Sequence, residues 1–168
     1  MKKCLPLLLF IFTLVFPVSA KADKENQFIT IVNPVRISTY NSKPLESLRA
    51  EYSVIRKRDL SATWLLTYDA IANDEIYSFT KKMDSKQELG IFLEVTPQFA
   101  QDSGVIYNDT GNWHHATSVF LSGYTQEARK LLIDRVFSEF KERFGYYPSS
   151  VGSWWTDSFS LTYLMKKY

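Results

Sequence analysis

Apolar and polar positions change their period several times along the chain, and each change marks an element. Phe28-Ile29-Thr30-Ile31-Val32 is apolar and β-branched and stops at Asn33-Pro34, predicting a first strand that Val35-Arg36-Ile37 could extend beyond a bend. From Pro44 to about Arg58 the residues Leu45, Leu48, Ala50, Tyr52 and Ile55 recur closer to helical than to alternating spacing, predicting a helix. A second strand is predicted from Ala62 to Thr67. Asn73 can cap a helix carrying Ile76, Phe79 and Met83 and ending at Ser85-Lys86. Glu88 to Thr96 is the third predicted strand. Its alternation puts Phe92, Glu94 and Thr96 on one face and Ile91, Leu93 and Val95 on the other.

The pattern is least regular from Pro97 to Gly123, a length of connection that often carries function. Thr125 to Phe144 is the clearest helix, with Ala128, Leu131, Leu132, Val136, Phe140 and Phe144 in one stripe, Thr125 opening it and Gly145 closing it. A fourth strand is predicted over Ser150 to Trp155, and Asp157 or Ser158 opens a last helix holding Leu161, Leu164 and Met165. Strands that alternate with helices imply an α/β fold, with parallel strands joined by crossover helices. No G-x-G-x-x-G follows the first strand, so a nucleotide cofactor is not expected. A complete eight-unit barrel takes about 250 residues. The expectation is therefore a partial or shortened (β/α) barrel, incomplete at the C-terminus; a small open sheet, complete as it stands, is the alternative. Four strands of an intended barrel would leave two sheet edges free, which predicts association.

The N-terminus changes the picture of where this domain works. Lys2 and Lys3, an apolar run from Leu5 to Phe16, and Val18-Ser19-Ala20 follow the order of a secretory signal peptide over residues 1–20. The run is shorter than the ~20 apolar residues that span a bilayer. Residues 21–27 read as a flexible polar leader, and residues 28–168 as a single barrel-like domain. The predicted location is secreted, periplasmic or at the cell surface, with no stable membrane span after cleavage. Without Lys2 and Lys3 the 20 basic residues become 18, equal to the 18 acidic ones, a balance that argues against a nucleic-acid partner. The single cysteine, Cys4, lies within the leader, so the core must be held without disulfides. All 4 Trp and all 10 Tyr lie beyond it, suited to a large core and to stacking on sugar rings.

Three stretches carry a resemblance. Ile55-Arg-Lys-Arg-Asp-Leu-Ser-Ala-Thr-Trp-Leu-Leu66 resembles the helix-to-strand passage before the second strand of polysaccharide deacetylase domains. Glu88-Leu-Gly-Ile-Phe-Leu-Glu94 is similar to that family's third strand, and Phe144-Gly-Tyr-Tyr-Pro148 to its entry into a later strand. The likeness spans roughly residues 28–168 and implies a distant, degenerate member of the glycoside hydrolase/deacetylase barrel superfamily. The family's Asp-Asp pair is missing, since Asn33-Pro34-Val35-Arg36 stands after the first strand. Its His-x-x-x-His is missing too, since Glu94-Val-Thr-Pro-Gln-Phe99 occupies that place. Zinc-dependent deacetylation is not supported, and no metal is expected.

In a parallel barrel the carboxyl ends of the strands build the active site, so Asp69, Glu94 and Asp157 could face one cleft. Two carboxylates suit glycoside hydrolysis, one protonating the leaving oxygen while the other attacks or activates water. Each also has an ordinary reading: Asp157 as a helix N-cap, Asp69 as the end of a strand, and Glu94 as the partner of Arg36 in an ion pair. Tyr68, Trp154, Trp155 and Arg36 are the candidate substrate-binding residues, with one of the two tryptophans facing the core. Trp113-His114-His115 reads as a solvated loop. Asn108-Asp-Thr110 fits a glycosylation pattern that matters only in a eukaryotic secretory pathway. The expected partner is an oligosaccharide or polysaccharide, bound by an exported hydrolase-like protein or by a non-catalytic glycan-binding or envelope protein.

Overall fold

The computed structural model describes residues 28–38 and 42–168; the signal peptide and leader expected over residues 1–27 lie outside them. Four strands, β1 (Val32–Val35), β2 (Ala62–Leu66), β3 (Gln87–Leu93) and β4 (Val151–Ser153), form one parallel sheet in the order β1-β2-β3-β4. The sheet curls into a half-barrel with helices interleaved, an α/β partial barrel as the alternation predicts.

The long helices sit where their patterns place them. Helix α1 (Pro44–Lys57) starts on Pro44, whose fixed φ suits a first turn. Two short helices share a cap: α2 (Tyr68–Ala72) ends at Asn73, and the Asn73 side chain accepts the amides of Glu75 and Ile76 to open α3 (Asp74–Thr80). The irregular stretch holds α4 (Pro97–Asp102), α5 (Ala116–Val119) and a 3-10 turn (Leu121–Gly123). Helix α6 (Gln126–Phe144) is capped by Thr125 and stopped by Gly145, whose φ of 85° lies in the left-handed region that favours glycine. Helix α7 (Ser158–Lys167) closes the order.

Register sorts the side chains. Ala62, Trp64 and Leu66 of β2 and Leu89, Ile91 and Leu93 of β3 point to one face, where they join Leu132, Ile133 and Val136 of α6 in a single core. The opposite, concave face carries Leu65, Gly90, Phe92 and Gly152. A Cβ on Gly90 would strike the Ser150 carbonyl and sit 2.6 Å from Leu65 Cδ2, and one on Gly152 would sit 2.5 Å from Leu65 Cδ1. Leu65 thus lies across two glycines.

The first strand is a correction. It runs through Asn33-Pro34 instead of stopping there, while Phe28 and Ile29 are exposed. The reason is the hydrogen-bonding direction. The carbonyls of Ile31 and Val35 accept from Thr63 and Thr67, so Val32 and Pro34 turn their backbones away from β2. Pro34 therefore removes no bond from the sheet.

Candidate functional site

A cavity of about 270 Å³ opens at the carboxyl end of the sheet, lined by Arg36, Asp69, Glu94, Thr96, Tyr107 and Trp113 among others. The residues arrive from the carboxyl ends of three strands and from one long connection. Arg36 follows β1, Asp69 lies in α2 just after β2, Glu94 and Thr96 follow β3, and Tyr107 and Trp113 come from the segment between α4 and α5.

Glu94 is the centre of the arrangement. Its alternation holds: it shares the concave face with Phe92, and its side chain is 6% exposed. A carboxylate so buried costs several kcal/mol unless paired. Arg36 donates to Oε1 from Nη2 at 2.7 Å and from Nε at 3.2 Å, and Trp154 Nε1 donates to Oε2 at 2.6 Å. The guanidinium lies 5.4 Å from the ring centroids of both Trp113 and Trp154, so one cation bridges two indoles while pairing with Glu94. Both residues still expose a large part of their surface, 43% for Trp113 and 51% for Trp154.

Asp69 lines the same cavity and accepts a hydrogen bond from Thr96 Oγ1 at 3.0 Å. Burial raises its pKa above the ordinary carboxylate value, and the negative charges of Glu94 and Asp102 add to that; the Thr96 bond acts the other way. Burial likewise raises the Tyr107 phenol. The cavity therefore presents two carboxyl groups in unlike surroundings: Glu94 ion-paired, Asp69 with its pKa raised by burial.

The other expected site residues fall elsewhere. Asp157 caps α7, accepting from the Ser160 amide and hydroxyl, and pairs with Arg129 at 2.8 Å; it does not line the cavity. Tyr68 is buried on the helical side, stacked on Phe99, with its hydroxyl donating to Asp102 and accepting from Arg135. It follows Leu66 in the alternation, so it faces the core and offers no ring to a ligand. Burial, helped by Asp102, pushes its pKa up to about 12. Trp155 is exposed and outside the cavity lining. Since β4 ends at Ser153, both tryptophans lie past the strand and neither enters the core, contrary to the alternation expected of them.

Trp113 and Tyr107 are the residues that sequence reasoning missed. The available signal was their place in a long connection at a strand's carboxyl end. His114 and His115 are solvated as expected, and His115 Nδ1 bonds Thr110 Oγ1 at 2.9 Å. No three His, Cys, Asp or Glu side chains among the described residues converge as a metal site. Asn108 spends its amide nitrogen on the carbonyls of Gly123 and Thr117, so glycosylation there would break a loop contact. No family model matches the chain, and no curated protein or solved structure matches it either.

Proposed function

We propose that this is an exported carbohydrate-active protein that binds a saccharide in the strand-end cavity and cleaves it in the manner of a glycoside hydrolase. The observation that carries this reading is that Asp69 and Glu94 line one cavity in unlike surroundings, Glu94 ion-paired with Arg36 and Asp69 buried with its pKa raised. A glycosidase needs such a pair. Asp69, whose pKa burial raises, would give its proton to the leaving glycosidic oxygen. Glu94, held by Arg36, would stabilise or attack the positive anomeric carbon. Trp113 and Trp154 would offer ring faces to a sugar, and Tyr107 a hydroxyl. The cavity is at the small end of ligand pockets, ~300–1,000 Å³, a size that suits one sugar ring at the centre. The order of charges and apolar residues in Met1 to Ala20 supports export.

One observation favours a second reading, a non-catalytic glycan-binding protein: both oxygens of Glu94 already hold protein donors. The test is product formation from a panel of cell-wall and plant oligosaccharides, followed by reducing-end release. Turnover abolished by both Asp69→Asn and Glu94→Gln, with binding retained, supports hydrolysis. Binding without turnover in the wild type supports the second reading, and the absence of both refutes the saccharide assignment.

A further inference from the structure

The two outer strands differ from the edges that soluble sheets usually present. Exposed edges are normally blunted by charge, by proline or by being very short; Pro34 and the three residues of β4 supply the last two here, but charge is absent. Here residues 28–35, which contain β1, carry no charged side chain, and neither do residues 145–156, which contain β4. Large apolar residues are exposed at both places: Phe28, Ile29 and Val32 at one edge, Val151, Trp154 and Trp155 at the other. The inner strands β2 and β3 expose none. Helix α7, which follows β4, adds Leu161 and Met165, one turn apart and exposed beside the stripe of Ser160 and Leu164 that turns inward.

We propose that a second copy of this chain covers these edges, β4 of each copy pairing in parallel with β1 of the other to close one eight-stranded barrel about a two-fold axis. The strand order and direction specify this occupant. The sheet is wholly parallel and runs β1-β2-β3-β4 without interruption, so its two edges, which no described strand pairs, complement each other in direction. A half-barrel of four strands is also the size at which one further copy completes the eight strands of a closed (β/α) barrel. Closure uses two identical seams, which the two-fold operator generates together. In such a barrel α7 would lie over the seam, which gives Leu161 and Met165 a surface to cover. Pro34 turns its missing N–H outward, so each seam forms with one donor fewer at that point. The axis runs along the strands, so both cavities would open at the same end of the barrel.

The experiment is sedimentation equilibrium on the purified protein, with three variants. The expected mass is twice that of the chain. Val32→Glu on the β1 edge and Val151→Lys on the β4 edge should each weaken association about a hundredfold, because each seats an unpaired charge in a closed seam. Val54→Lys, at an exposed position of α1, should leave it unchanged. Mixing the Val32→Glu and Val151→Lys chains should restore the dimer, since one of its two seams is then wild type. Only folded chains can do so, which separates lost association from lost structure. A wild-type chain that sediments as a monomer overturns the proposal. So does a dimer indifferent to both edge charges, or a mixture that stays dissociated.

Discussion

Replacing Arg36 with Met keeps the apolar stem between Trp113 and Trp154 but removes the cation that pairs with Glu94. Glu94 would then hold a buried carboxylate with one remaining donor, Trp154 Nε1. Breaking a buried ion pair from one side costs ~3–5 kcal/mol, and because Arg36 is 22% exposed the lower figure applies here. For a domain of this size about 3 kcal/mol corresponds to roughly a 10 °C fall in melting temperature. Glu94→Gln is milder. A Gln carbonyl still accepts from Trp154, and Arg36 can turn toward water, so the expected loss is about 1–2 kcal/mol. The double variant should cost about 2 kcal/mol less than the sum of the single ones, because neither charge is then left alone. Urea denaturation of all four proteins, analysed as a double-mutant cycle, reads this coupling directly. Single effects that add to within about 0.5 kcal/mol would mean that the pair contributes nothing as a pair, and the role given to Arg36 would fall.

Three further outcomes follow from the same structure. Asp69 has a raised folded-state pKa, so the folded protein binds more protons than the unfolded chain between the ordinary carboxylate value and that raised one, and wild-type stability falls as pH rises through that window. Asp69→Asn, which can still accept from Thr96, should gain on the wild type across the window in urea melts at stepped pH, and match it below the ordinary carboxylate value. Gly90→Ala should destabilise by about 1–3 kcal/mol, since its Cβ meets the Ser150 carbonyl of the neighbouring strand, whereas Gly104→Ala, in open space, should show only the strain of its positive φ. Asp157→Ala should cost about 2–4 kcal/mol, through the lost cap of α7 and the stranded Arg129, while leaving saccharide affinity unchanged, measured by thermal melts beside a binding titration.

The legible parts of this fold were those in which local signals agreed. Thr125, the stripe down α6 and Gly145 all point to one helix, and the alternation of β3 correctly sends Glu94 to the face opposite Ile91 and Leu93. The ion pair with Arg36 was legible as an alternative, because a carboxylate in an apolar strand requires a partner. The misreadings arose where a residue's meaning depends on its neighbours in space. Asn33-Pro34 reads as a stop, yet an edge strand tolerates a proline whose missing donor faces outward. Tyr68 looked like a cleft residue because it follows a strand, but α2 begins there and buries the ring. Thr96-Pro97 carried a helix start, cap followed by proline, inside a stretch that otherwise seemed irregular. Trp113 was legible only as part of a long connection, because its contact with Arg36, 77 positions away in sequence, leaves no local trace.

The central claim is that the strand-end cavity takes a saccharide, and calorimetric titration of the protein with cell-wall and plant oligosaccharides tests it most directly, with Trp113→Ala and Asp157→Asn alongside. The account predicts saturable binding in the wild type and in Asp157→Asn, weakened at least tenfold in Trp113→Ala through loss of a stacking surface. Binding that survives Trp113→Ala unchanged, or no binding to any oligosaccharide by a cooperatively folded protein, would contradict it.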